Sequence, residues 1–343
     1  MSDRQGTESA VSMAIRTRLC NANREVMGEE PDLRRVRGPF VVAVFACVAL
    51  VAACAPPPPT FGTAIATIAV GNGPTSVISD GANIWVANGL SSTVSRIDPV
   101  TNMVTATIPV DGFPTSLMSD GTSIWVANFG SDTVSRIDPV TNMVTANIPV
   151  GNSPVGLVSD GNNIWVANSD NRSVSRINPV TNTVIATVGF GGRFPSAVAW
   201  DGTNIWVSSD LGLVSTIDPD TNTVIANLSL LGYPTSVVSD GTNIWVAASG
   251  VDTVSDTVTR VNPITNIVSG FIRVGSRPVD VTWDGKNLWV ANSGSNTVSR
   301  INPVTNTVTA TIGLGFSPSG VVSDGTNIWV TNAGSNTVSK IKP

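Results

Sequence analysis

Apolar and polar positions along this chain fall into short runs that return at a fixed spacing. The most regular run is Ile84-Trp85-Val86-Ala87-Asn88, and its Trp recurs at Trp125, Trp165, Trp206, Trp245, Trp289 and Trp329, at intervals of 40, 40, 41, 39, 44 and 40 residues. Between successive Trp runs lie further short segments rich in Val, Ile and Thr, bounded by Gly, Pro, Asn or Asp, the signature of strands separated by turns. Four such strands in a period near 40 residues predict one blade of a β-propeller.

In the third unit the pattern predicts strands over Pro154–Asp160, Asn163–Asn168, Ser173–Asn178 and Thr183–Phe190. The first two join at Asp160-Gly161, with counterparts at Asp80, Asp120, Asp201, Asp240, Asp284 and Asp324, each followed by Gly. Asp-Gly accommodates the positive φ of a tight hairpin. The third and fourth strands join through Asp98-Pro99-Val100-Thr101-Asn102 and its copies, where Asp or Asn caps a turn that Pro pre-bends. Neighbouring blades cover each blade on both faces, so alternation along a strand is weak. Small residues such as Ser76, Ser116, Gly156 and Ser236 suit the crowded strand nearest the axis. The seven Trp read as core: each buries roughly 150–250 Å², an upper bound of about 4–6 kcal/mol.

The repeats open with a lone fourth-type strand, Thr63–Val70, and finish at Pro343 after a third-type strand, Thr337–Ile341. The opening strand must complete the last blade, which joins the chain ends and removes an aggregation-prone edge. The predicted fold is all-β: a seven-bladed β-propeller with four antiparallel strands per blade, closed by residues 63–70.

The chain has 343 residues, of which 13% are charged, and no His. From Cys54 onward it carries 12 basic and 18 acidic residues and no Glu, so it has no basic footprint for nucleic acid. Phe40 to Ala53 is an apolar run of 14 residues behind Arg34, Arg35 and Arg37, short for a membrane span but suited to a signal-peptide core. It ends Val51-Ala52-Ala53-Cys54, which resembles the bacterial lipobox; in that resemblance Cys54 becomes the lipidated first residue. An ordinary cleaved signal or a short membrane anchor is the alternative. Cys20 and Cys47 fall in the part to be removed, leaving Cys54 unpaired. Ala55 to Pro59 reads as a stiff spacer. Residues 1–53 are thus expected to be an N-terminal extension and lipoprotein-type signal, with translation starting at Met1, Met13 or Met27. Residues 54–62 are the acylated Cys and Pro-rich spacer, and 63–343 the propeller.

The unit Leu288-Trp-Val-Ala-Asn-Ser-Gly-Ser-Asn-Thr-Val-Ser-Arg-Ile-Asn-Pro-Val-Thr-Asn-Thr-Val308 resembles the YVTN family of β-propeller repeats, and the resemblance runs from about Thr63 to Pro343. It implies the fold, and a place among surface-layer proteins, lipoproteins and other secreted proteins. The chain also looks like the streptogramin (virginiamycin B) lyase propellers, whose chemistry needs a His base, acidic residues and Mg²⁺. With no His, and no Glu after Cys54, no catalytic His or Glu of that family maps to a position here. A lyase assignment would rest on fold alone.

In a propeller the Asp-Gly hairpins and the Pro-x-Thr-Asn turns share one face, and the other two loop sets share the opposite face. The first face repeats nearly identically. The second varies, carrying Asp111 and Phe113, Arg193 and Phe194, Tyr233, Arg273 and Arg277, and Phe316 in the loops leading into the blades. Ligand recognition on a pseudo-symmetric ring needs broken symmetry, so these eight are the candidate binding residues; loop drift is the alternative. Arg193, Arg277 and Tyr233 together would hold an anionic or carbohydrate group. The insertion at Val251–Thr257 reads as one lengthened hairpin on this variable face. The Asp ring is explained by turn formation, so no metal site and no cofactor are assigned. Arg96, Arg136, Arg176, Arg260, Arg300 and Lys340 are expected to pair with neighbouring acids or to cover apolar surface. Trp200 and Trp283 replace the Ser before Asp found elsewhere, without evident reason.

The expected protein is an exported, lipid-anchored binding module at the bacterial cell envelope, facing outside the cytoplasm. It would take a glycan, peptide or protein at the variable face, with no catalytic residues assigned. The competing classes are a lyase-type enzyme and a self-associating surface protein.

Overall fold

The computed structural model describes residues 63–191, 193–250 and 256–343. The expected signal sequence, Cys54, the spacer and most of the Val251–Thr257 insertion lie outside the described residues. Those described form seven four-stranded antiparallel sheets. Blade 1 runs Pro74–Ser79, Ile84–Asn88, Thr93–Asp98 and Met103–Pro109. Blades 2 to 7 begin with the first strands Pro114–Ser119, Pro154–Ser159, Pro195–Trp200, Tyr233–Ser239, Pro278–Trp283 and Pro318–Ser323. The predicted strands hold to within a residue or so at their ends.

Closure is as the sequence requires. Ala64–Ala69 pairs antiparallel with Thr337–Ile341, Ala64 opposite Ile341 and Ala69 opposite Thr337, and so supplies the fourth strand of blade 7. Further long-range bonds hold the seam. Gly73 N–H donates to Asn336 Oδ1 at 2.8 Å, Ser319 Oγ to the Pro74 carbonyl at 2.6 Å, and Lys340 Nζ to the Pro99 carbonyl at 2.6 Å.

The core lies between blades. One cluster joins Trp85, Val94 and Ile108 of blade 1 to Leu117, Ile124 and Ile137 of blade 2, and its counterpart across the closure joins Trp329 and Ile68 to Val77, Ile84 and Ile97. All seven repeat Trp are fully buried. Second strands are buried throughout, whereas fourth strands alternate exposed and part-buried positions, as outer-edge strands should.

A second bond set explains why the Asp-Gly hairpin and the Trp recur together. Asp80 Oδ1 accepts the backbone N–H groups of Ala82 and Asn83, and its Oδ2 accepts the Trp85 indole N–H at 2.7 Å. The same indole-to-carboxylate bond recurs in all seven blades at 2.6–2.7 Å. Gly81, at φ 90, takes the positive φ the turn demands.

Over each of six Trp rings lies a cation, with Arg136 5.2 Å from the Trp125 centroid as an example. Arg96, Arg136, Arg176 and Lys340 reach neutral acceptors of the next blade rather than the acids expected. Arg136 Nη1 donates to the Pro179 carbonyl at 2.9 Å and Asn182 Oδ1 at 3.3 Å, because the turn of blade 3 presents those oxygens across the interface. Their stems do cover apolar Trp surface. Trp200 and Trp283 pack on the clusters between blades 3 and 4 and between blades 5 and 6. They exchange the hydroxyl that elsewhere accepts the turn Gly N–H, as Ser79 does from Gly81 at 3.1 Å, for apolar cover.

Candidate functional site

The seven first strands surround an axial channel of about 430 Å³. Its wall is laced by hydroxyls: Thr75 Oγ1 donates to the Pro114 carbonyl and Thr115 Oγ1 to the Pro154 carbonyl, both at 2.8 Å. Two positions after the Pro of each first strand stand Ser76, Ser116, Gly156, Ala197, Ser236, Asp280 and Gly320 in turn. Space is tight at this level, since a Cβ on Gly156 would stand 3.1 Å from the Ala197 Cα. Six blades therefore keep a small neutral residue, and blade 6 places a carboxylate there.

Among the described residues, Asp280 is the one ionisable group in the channel lining. Its Oδ1 accepts the Ser236 hydroxyl at 2.8 Å and its own neighbour Val281 N–H at 2.9 Å, while Oδ2 accepts Val321 N–H at 2.9 Å. One side chain thus ties together blades 5, 6 and 7. Burial pushes the carboxyl up to about 6, against the pull of the Val321 N–H, the Ser236 hydroxyl and the Val281 N–H. The turn aspartates behave oppositely. Burial also raises Asp80, Asp120, Asp240 and Asp324, but indole, backbone and side-chain donors together hold each below 3.8.

Asp280 follows Pro278, the first residue of its strand, by two positions, so it sits roughly 7 Å inside the variable-face end of the channel at about 3.3 Å per residue. Six of the eight sequence candidates lie in loops at that end, while Tyr233 opens the first strand of blade 5 and Arg273 ends its fourth strand, and none of the eight lines the channel itself. Three are engaged by the scaffold. Asp111 Oδ2 accepts the Thr133 hydroxyl at 3.0 Å; Phe113 meets Phe129 edge-on with centroids 6.0 Å apart; Phe194 lies under Arg172 at 4.7 Å. Phe316 is 70% exposed and Tyr233 46% exposed. Arg273 and Arg277 are also exposed, and Arg193 is half-buried. Arg193, Tyr233 and Arg277 lie at the entries to three successive blades, 4, 5 and 6, Arg193 and Arg277 in the loops and Tyr233 as the first residue of its strand. Arg277 holds φ 52 with its carbonyl accepting Ser293 N–H at 2.9 Å, which fixes the backbone from which its side chain projects.

Two groups of exposed apolar side chains lie on this face. Phe113, Phe129 and Leu90 sit on blades 1 and 2, where a Cβ on Gly89 would lie 3.4 Å from Phe113 Cζ. Phe194, Leu211, Leu231 and Tyr233 sit on blade 4 and at the entry to blade 5, where the loops of blade 4 are tied by the Asp210 N–H to Phe194 carbonyl bond at 3.1 Å and the Leu230 N–H to Gly212 carbonyl bond at 2.6 Å.

Asp280 escaped the sequence reading although its signal was present. Aligning the seven first strands shows a single Asp among Ser, Gly and Ala. What the alignment does not give is the channel geometry that makes the substitution costly. Among the described residues, no group of three or more His, Cys, Asp or Glu gathers as a metal site would require.

No family model matches the chain, and no curated protein matches it. Among solved structures 1713 chains match, so the fold is widely shared and says little about activity. One of these similar structures is hydrazine synthase of Kuenenia stuttgartiensis, at 22% identity and a TM-score of 0.72, covering 79% of this chain and 96% of that chain. At that identity the likeness shows the fold alone: this chain is a seven-bladed β-propeller.

Proposed function

We propose that this propeller is a binding module of YVTN-repeat character that receives its ligand at the variable-face mouth of the axial channel, with Asp280 as the charged group inside it. The observation that carries the proposal is Asp280 itself. A carboxylate raised to about 6 lowers stability at neutral pH, and a repeat that uses Ser, Gly or Ala six times has a ready alternative. The exposed aromatics and Arg277 around the same mouth supply contact surface of the kind recognition sites use. The chemistry favours a ligand that brings a cationic or hydrogen-bond-donating group to the channel and an apolar or sugar face to the rim.

Export and acylation of Cys54 belong to the same proposal. The chain joins the ring at Thr63, beside Ile341 at the repeated face. A tether attached there leaves the variable face free for a ligand at the cell envelope. Two measurements test the proposal. Incorporation of labelled palmitate, abolished by Cys54→Ser, is expected; incorporation unchanged by that substitution overturns the anchor. A glycan, peptidoglycan-fragment and peptide array is expected to give ligands whose binding Asp280→Ser reduces at least tenfold. Ligands indifferent to Asp280→Ser, and to Tyr233→Ala and Phe316→Ala, would place recognition elsewhere.

A further inference from the structure

The seven blade interfaces are not equivalent on the repeated face. At the third-strand position of Arg96, Arg136, Arg176, Arg260, Arg300 and Lys340, blade 4 has Thr216, paired with Trp206. Arg96, Arg136 and Arg176 each donate from Nη1, and Lys340 from Nζ, to a Pro carbonyl of the following blade at 2.6–3.0 Å and to an Asn Oδ1 of its turn at 3.1–3.3 Å. A third acceptor serves Nε from the hairpin of the same blade: Ser123 Oγ for Arg136 and Asn243 Oδ1 for Arg260, both at 2.9 Å.

Blade 5 carries the equivalent residues, Pro263 and Asn266, and blade 4 carries Asn204, and all three line this interface. Thr216 is too short to reach across. The interface instead opens as a groove of about 570 Å³ whose lining includes Thr216, Asn204, Pro263, Asn266, Asp201 and Ile225. We propose that this groove is a binding site for an arginine side chain of a partner polypeptide, which takes the place that the chain's own arginines occupy at other interfaces.

Four features fix that chemistry. A guanidinium can reach a hairpin oxygen from Nε while Nη1 holds the turn oxygens, as Arg136 does, whereas the ammonium of Lys340 engages the turn pair from one nitrogen. Asp201 is the one charged residue in the lining, so the groove is acidic, as is the domain. Ile225 and Ile264, both exposed, flank the groove and would cover an aliphatic stem. Trp206 remains fully buried, so recognition here relies on hydrogen bonds and Asp201 rather than on ring stacking. The groove lies on the face opposite the channel mouth and does not depend on the function proposed above.

The test is calorimetric titration of the purified full chain with acetyl-Gly-Arg-Gly-amide and with its citrulline counterpart, which keeps the shape and loses the charge. Saturable binding of the arginine peptide is expected, with the citrulline peptide at least about tenfold weaker. Thr216→Arg should abolish binding by filling the groove, with a thermal midpoint no lower than the parent's, which separates loss of the site from loss of the fold. Asn266→Gly tolerates the φ of 55 while deleting one acceptor, and should weaken binding about tenfold. No saturable binding by the arginine peptide, equal binding of the citrulline peptide, or undiminished binding to Thr216→Arg would each overturn the proposal.

Discussion

Replacing Asp280 by Ser, the residue at this level in three other blades, should stabilise the protein at neutral pH, and the gain should fade in acid. The carboxyl sits at 3.8 when unperturbed and at about 6 in the folded ring, so the folded state holds its proton more tightly than the unfolded state. The favourable contribution is complete below 3.8 and is lost as pH rises through about 6. At about 1.4 kcal/mol per unit, the shift amounts to about 3 kcal/mol against the folded state at pH 7.5 and about 1 kcal/mol at pH 4.5. The shorter Ser side chain would forfeit the acceptor now serving Val321 N–H, a loss of about 1 kcal/mol. The variant should therefore exceed the parent by about 2 kcal/mol at pH 7.5, near 4 °C in thermal midpoint for a domain of this size, and match it at pH 4.5. Paired urea titrations of parent and variant at both pH values measure this, because all other titrating groups cancel in the difference. A pH-independent difference would refute the account of Asp280 as a carboxylate charged at a cost.

Two further outcomes follow from the repeat unit. Trp125→Ala should cost about 3–5 kcal/mol in a urea titration, since the ring is fully buried between blades; a loss under about 1 kcal/mol would contradict its place in the core. The turn aspartates carry the opposite pH dependence from Asp280. Asp80, Asp120, Asp240 and Asp324 are all held below 3.8, so the stability they add is present above that value and lost as pH falls through their folded values. A thermal midpoint that drops steeply below about pH 4 is expected, with Asp120→Asn flattening the drop; a midpoint constant down to about pH 2.5 would contradict it.

The ring was legible because repetition amplifies weak local signals. One Asp-Gly or one short Val-rich run means little, but seven in register fix the strands, the blade count and the strand that closes the ring. What stayed hidden were contacts between units. Arg136 and Pro179 are neighbours only because blade 3 lies against blade 2, and the period alone does not say which side of a blade meets the next. For the same reason Trp200 and Trp283 looked arbitrary until the interblade clusters placed them. The candidate site was half legible. Variation singled out the loops of one face, yet variation also occurs where a residue is merely tied down, as Asp111 is by Thr133. The departures that matter most, Asp280 and Thr216, are single substitutions within otherwise uniform columns, and their weight comes from channel crowding and from an interblade groove.

The two faces and the axial channel exist only if the ring is closed by its two ends, and one cross-link tests that directly. Ala69 and Thr337 are paired across the closing strands. With Cys20, Cys47 and Cys54 changed to Ser, Ala69→Cys combined with Thr337→Cys should oxidise to an intramolecular disulfide. The product should run as a faster-migrating monomer on a non-reducing gel, with a higher thermal midpoint than its reduced form. Free thiols or disulfide-linked dimers under the same oxidation would contradict the closed ring.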